Sequence, residues 1–409
     1  MAGDFTRVLA AESISNFGSM LSRVAIPWLA ALLLQATPLQ MAALVVADVV
    51  AAALGSLVLG SLIDRTGKRA VMLFADLSRC AVLGVLALAA WRGSIGFALL
   101  VVGAAASGLL TVAFELARSA WVAQSVDAVD LPRRNAQLSV AGSVSEVAAF
   151  TLGGWLYQGV GAALSLAFDA LSYAVSALAL RGVHEVAATP REPTHGSRWR
   201  SLVGDVVVGL RTVASQPSLR ALVCIEVLLA FGMSLTGTTY MIYVSRDLAV
   251  PTSVLGMVFA LGGVGAVAGA SLAPRLGRWL GPGRAMTFGL ATLALGAALV
   301  PVATGAGWIA IALLAAQQAI GDAGHTVHDV HDRTLRQTAV AGPLLARVDA
   351  GIRSAGQFAT LAGAAAGGGL GVALGTRSVL AIAAVSFALA ATVAAATLGR
   401  RSVSTAAAQ

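Results

Sequence analysis

Charge is what this sequence has least of. Only 11% of its 409 residues are Asp, Glu, Lys or Arg, whereas a soluble domain typically carries about 25%. So few charges cannot cover a water-facing surface, and most of the surface is expected to face lipid. Cysteine is nearly absent too: Cys80 and Cys224 lie far apart in apolar runs with no C-x-x-C spacing, which argues against a disulfide framework. The start, Met1-Ala2-Gly3-Asp4, lacks the basic n-region of a signal peptide, so the first apolar run reads as an uncleaved span. A basic arm or patch is missing as well. The formal net charge is +8, but its arginines are scattered through short gaps, which removes the nucleic-acid reading. Nor does a nucleophile–base or metal motif occur where a pocket could form, so neither an enzyme activity nor a cofactor is expected.

What the chain has in abundance is apolar sequence, 58% of all residues. A spanning helix uses roughly 20 apolar residues. Breaks at Gly, Pro and charged residues leave runs near 8–34, 40–62, 70–91, 95–124, 136–160, 162–181, 218–244, 252–274, 285–304, 307–327, 340–372 and 376–399. The expectation is therefore an all-α integral membrane protein of twelve transmembrane helices. With the N-terminus placed inside, the inward gaps collect the arginines and lysines, while the outward gaps hold only Arg92, Arg246 and Arg377. That asymmetry predicts both termini in the cytoplasm, with the chain in a bacterial inner membrane.

The longest polar stretch, 182–200, contains Pro190, Pro193 and Gly196 and divides the runs six and six. An N-terminal half is expected over 1–181, a cytoplasmic linker over 182–217 and a C-terminal half over 218–409. Within the linker Trp199, Leu202, Val203, Val206, Leu210 and Val213 recur at helical spacing between polar residues, which predicts an amphipathic helix at the membrane surface or packed under the bundle. An offset of 214 residues maps Gly67 onto Gly281, Gly142 onto Gly356, Gly153 onto Gly367 and Gly154 onto Gly368. Four matches at one offset favour a duplicated six-helix unit, an arrangement that places a transport site between two halves.

Between the second and third runs stands Gly60-Ser61-Leu62-Ile63-Asp64-Arg65-Thr66-Gly67-Lys68-Arg69. Gly60 suits close helix approach, Asp64 can accept hydrogen bonds from a helix N-terminus or an arginine, and Gly67 suits a turn. This segment resembles the signature loop of the major facilitator superfamily, G-x-L-x-D-R-x-G-R/K-R/K, in the gap where that family carries it. It is not a P-loop: six residues separate the two glycines where Walker A needs four, and Arg69 stands in place of Ser or Thr. Glu12 to Ser19, Ala117-Arg118-Ser119-Ala120 and Phe168-Asp169-Ala170-Leu171-Ser172-Tyr173 are similar to the branch containing macrolide-efflux proteins and the enterobactin exporter. The resemblance implies two pseudo-symmetric six-helix halves, the major facilitator fold, acting as a monomer in the lipid bilayer on a small-molecule substrate and driven by an ion gradient.

Ionisable groups at bilayer depth are costly, so each is a functional candidate. Asp76 and Arg79, three apart, are expected to neutralise each other, with Asp64 and Arg118 joining them in a structural or gating latch. By family resemblance the first, fourth, seventh and tenth spans line the cavity. That makes Asn16, Arg23, Glu115, Glu226 and Asp322 the substrate or proton candidates, with Glu226 and Glu115 leading. The cluster Asp322, His325, His328, Asp329, His331 and Asp332 admits three readings: a solvated cap past the end of its span, a proton or gating role centred on His325, or a metal site. Proton-coupled efflux of a small amphipathic organic compound, such as a drug, siderophore or secondary metabolite, is the expected function. Uptake or facilitated diffusion of a polar nutrient is the alternative, and a non-transporting receptor a remoter one.

Overall fold

The computed structural model describes residues 2–127, 130–185, 211, 213–305, 307–340 and 342–398. All regular structure among them is helical. The first six helices are α1 (Ala2–Trp28), α2 (Pro38–Arg65), α3 (Lys68–Trp91), α4 (Phe97–Ser125), and a run over Leu131–Arg181 that breaks at Gly161 into α5 (131–160) and α6 (162–181). Then follow α7 (Pro217–Ile242), α8 (Thr252–Leu280), α9 (Pro282–Val302), α10 (Trp308–Ala339), α11 (Gly342–Leu374) and α12 (Thr376–Thr397). Among the described residues nine helices are long and apolar enough to cross a membrane. The exceptions are α1, α5 and α10, each carrying internal charge: Glu12 and Arg23 in α1, Glu146 in α5, and Asp322 followed by the His/Asp series in α10. Residues 199–210 of the expected amphipathic helix lie outside the described residues.

The chain divides into two compact units. One holds the residues up to Ala36 and from Val46 through α6; the other holds Thr37–Val45 and everything from α7 onward. In the first, α1 and α3 both pack on the 131–181 run, and α3 also on α4. In the second, α7 packs on α11 and α12, and α9 on α10 and α12. Lipid offers no hydrophobic drive between helices, so close packing of small residues must do the work. A Cβ at Gly363 would lie 2.6 Å from the Phe231 carbonyl oxygen, and one at Gly371 2.7 Å from Pro38. Gly363, Gly367 and Gly371, four residues apart, therefore form a contact face of α11. Gly375 instead takes φ 81°, the left-handed conformation that starts α12.

Backbone geometry repeats at the spacing of the glycines. Past α1, Leu34 N–H donates to the Leu29 carbonyl and Ala36 N–H to that of Ala30; past α7, Leu248 N–H donates to Tyr243 and Val250 N–H to Val244. Each helix thus ends in a widened turn. The next residues, Gln35 (φ 51°) and Ala249 (φ 50°), are the non-glycine positions of positive φ among the described residues. Gly161 and Gly375, at φ 76° and 81°, keep the same spacing. Gly67 and Gly281 do not match in conformation: Gly67 has φ −63°, Gly281 φ 78°.

Candidate functional site

Within the second unit a cavity of about 640 Å³ opens among α7, α10 and α11. Its centre is Arg336, held on α10 one turn after Asp332, whose carboxylate it meets at 2.7 Å. The same guanidinium lies 3.1 Å from Glu226 of α7 and 3.9 Å from Asp349 of α11. Three carboxylates from three helices thus share one cation. Asp332 lies past the apolar run of α10, and burial pushes its carboxyl up to about 6 against the pull of Arg336. Gly356 of α11 makes room for Glu226, since a Cβ there would lie 2.8 Å from its Oε1. Leu229, Ala230 and Met233 of α7 supply an apolar wall.

A solvated cap is not what the histidine series forms. His328, His331 and Asp332 are buried, and only His325 of the three histidines is exposed. The helical period sends His331 towards α8, where its Nε2 lies 3.0 Å from the Ala273 carbonyl oxygen, and His325 and His328 towards the cavity. His328 and His331, three apart in sequence, therefore diverge. Among the described residues no group of three or more His, Cys, Asp or Glu side chains is placed to hold a metal ion. Asp322, two turns earlier, packs against α8 at Gly262, where a Cβ would collide with its carboxylate.

The other candidates belong to the first unit. Asp76 and Arg79 pair in the buried core; Asp76 also accepts from Ser176 at 2.6 Å, and Arg79 lies between the Phe114 and Tyr173 rings. Arg118 does not join them. It pairs with Glu12 of α1 at 2.5 Å, a partner the sequence reading missed because nothing in the spacing links α1 to α4. Glu115 is exposed, one turn before Arg118, and Asn16 is half-buried, one turn beyond Glu12. The side chain of Arg23 lies outside the described residues. Asp169 is fully buried and accepts hydrogen bonds from Ser22 and Ser172.

The signature loop forms the joint between α2 and α3. Lys68, buried, donates to the carbonyls of Ile63 and Thr66 at 2.7 and 3.0 Å. Arg69 reaches the end of α6, donating to the carbonyls of Leu180 and Arg181 at 3.1 and 2.5 Å. Glu185 accepts from the backbone N–H groups of Arg69 and Ala70. Gly67 is not needed for a turn, as its φ suits any residue; it is needed because a Cβ would lie 2.7–2.9 Å from the Glu185 carboxylate. Nearby, Asp4 meets His184 at 2.7 Å, and that hydrogen bond holds its carboxyl below the usual range. The side chains of Asp64 and Arg65, and the surroundings of Gly60, lie outside the described residues. Cys80 and Cys224 are free.

Comparison with curated proteins finds no match. Solved structures share the fold along nearly the whole chain. The nucleoside transporter NupG aligns with a TM-score of 0.73 at 12% identity, covering 97% of this chain and 100% of that one. A bacterial homologue of the iron transporter ferroportin, in its inward-facing state, aligns at 0.74 with 16% identity, covering 98% and 100%. A bacterial metal transporter aligns at 0.62 with 18% identity, covering 95% and 97%. The family model described as Major Facilitator Superfamily matches residues 8–324. The chain thus belongs to the major facilitator superfamily, and is a secondary transporter of the alternating-access type rather than an enzyme.

Proposed function

We propose that the chain is a proton-coupled exporter of a small amphipathic organic compound, built from twelve spans in two pseudo-symmetric halves, 1–181 and 218–409, joined by a cytoplasmic linker at 182–217. The repeated helix ends at Gln35 and Ala249, and at Gly161 and Gly375, support the duplication. The distribution of arginines supports cytoplasmic termini in a bacterial inner membrane. Resemblance of Glu12 to Ser19 and of Phe168 to Tyr173 to the macrolide-efflux and enterobactin-exporter branch supports export.

The observation that carries proton coupling is the sharing of Arg336 by Glu226, Asp332 and Asp349. One guanidinium cannot neutralise three carboxylates, and burial penalises the surplus charge at Asp332. A proton that comes and goes relieves the surplus. Glu226 is the leading proton carrier; Glu115, Asn16, Arg23, Asp322 and His325 are assigned to substrate or proton contact. Asp76, Arg79 and Arg118, with Gly60, Asp64, Arg65, Gly67, Lys68 and Arg69, are assigned to gating. In inverted vesicles carrying an imposed pH gradient, Glu226→Gln should abolish gradient-driven accumulation of a transported compound. Unchanged accumulation removes Glu226 from the proton path.

A further inference from the structure

We propose that the cavity among α7, α10 and α11 binds an organic cation, an amine-bearing amphipathic molecule, in competition with protons. The inference rests on the proton-coupled reading above and adds to it the charge class of the ligand. Charge is the first ground. Four carboxylates line the cavity against three guanidinium groups, and the imbalance is concentrated at its centre, where Glu226, Asp332 and Asp349 converge on Arg336 alone. Of the other two guanidinium groups, Arg333 is taken by Asp329 at 2.9 Å on the exposed side, and Arg353, one turn beyond Asp349, is exposed at the cavity's edge. An anion entering this centre would meet surplus negative charge. A cation would complete it.

The second ground is a buried, unpaired polar group in the cavity lining. His328 is 5% exposed, lines the cavity, and its Nδ1 has no hydrogen-bond partner among the described residues. That nitrogen is itself buried, so a ligand hydroxyl or N–H pairs with it once the imidazole turns towards the cavity. The third ground is the wall of Leu229, Ala230 and Met233. It faces the charged residues across a volume of about 640 Å³, inside the range of roughly 300–1,000 Å³ typical of small-molecule sites and far too large for one bare ion. With no metal-holding group among the described residues, these features suit an ammonium head at the carboxylates and an aromatic or alkyl body along α7.

Acid opposes such binding. The titratable side chains lining the cavity are Glu226 from α7, Asp349 from α11, and His325, His328, Asp329 and Asp332 from α10, beside the guanidinium groups of Arg333, Arg336 and Arg353. Each proton taken up removes negative charge or adds positive charge, so the surplus that attracts a cation shrinks as pH falls.

Ethidium provides the probe, with the full-length protein in nanodiscs and binding read by fluorescence anisotropy. Ethidium should bind at about pH 8 and lose about tenfold in affinity by about pH 5. Tetraphenylphosphonium should displace it, and anilinonaphthalene sulfonate should not. Glu226→Gln and Asp349→Asn should each weaken binding about tenfold, while Glu226→Asp retains it. Displacement by the sulfonate but not by the phosphonium, displacement by an equal concentration of zinc, or no ethidium binding would overturn the assignment, and these competitions need no variant to fold. Absent ethidium binding beside intact gradient-driven transport would sink the cation class alone. Binding with the stated pH dependence, but no gradient-driven flux, would uphold this site and sink the proton-coupled reading.

Discussion

The Glu185 carboxylate caps α3 by accepting the N–H of Arg69 at 3.0 Å, and Gly67 is the residue that lets it come so close. Two orphan donors at a helix start are satisfied by an acidic group that also favours the helix dipole. Removing the cap with Glu185→Ala should cost about 1–2 kcal/mol of thermal stability. Gly67→Ala should cost a similar amount, because its new Cβ expels the same carboxylate. The double variant should then lose little more than either alone. Additive losses, measured by thermal unfolding in detergent, would show that Gly67 serves something other than this cap.

Arg79 is 2% exposed, and its charge is matched by Asp76 while its plane lies between two rings. Arg79→Met leaves Asp76 buried without its cation and should destabilise by about 3–5 kcal/mol. Arg79→Lys keeps the charge but loses the planar stacking, and should fall between the two. Equal stability of the lysine variant and the parent would mean that the Phe114 and Tyr173 rings contribute packing only.

The α7–α11 contact should be intolerant of bulk. Gly363→Leu forces a side chain towards the Phe231 carbonyl and Ser234, and overpacking of this kind costs about 1–3 kcal/mol or more. Gly369→Leu on the same helix is the control, since nothing lies within 4 Å of its Cβ position. A reversed order of stability would place the helix contact on another face.

Asp332 should give stability a pH dependence. Its carboxyl is pushed up to about 6 from an ordinary 3.8, so its favourable contribution is full below the ordinary value and is lost as pH rises through about 6. The effect is bounded at about 3 kcal/mol by the size of the shift. The unfolding midpoint of the parent should fall across that window, and Asp332→Asn should flatten the profile. An identical profile in the variant would assign the dependence to another group.

Helix positions were legible in the sequence because bilayer burial demands long apolar runs, and the Gly60 to Arg69 loop identified the family because its residues sit close together. Tertiary charge partners were not legible. Nothing local connects Glu12 to Arg118, or Asp349 to Arg336, since each pair bridges two helices. Asp332 and Arg336 could be paired from their one-turn spacing, but Glu226 could be assigned only a span. The histidine series misled for a related reason: it follows the apolar run and reads as solvated, whereas α10 continues to Ala339 and packs His331 against α8. Glu185 stood in a segment read as linker, although it caps α3.

Export driven by a proton gradient is tested most directly by flux. Inverted membrane vesicles containing the protein should accumulate ethidium when the interior is made acidic, and should lose it at once when an ionophore collapses the gradient. Accumulation that survives the collapse would contradict proton-driven export.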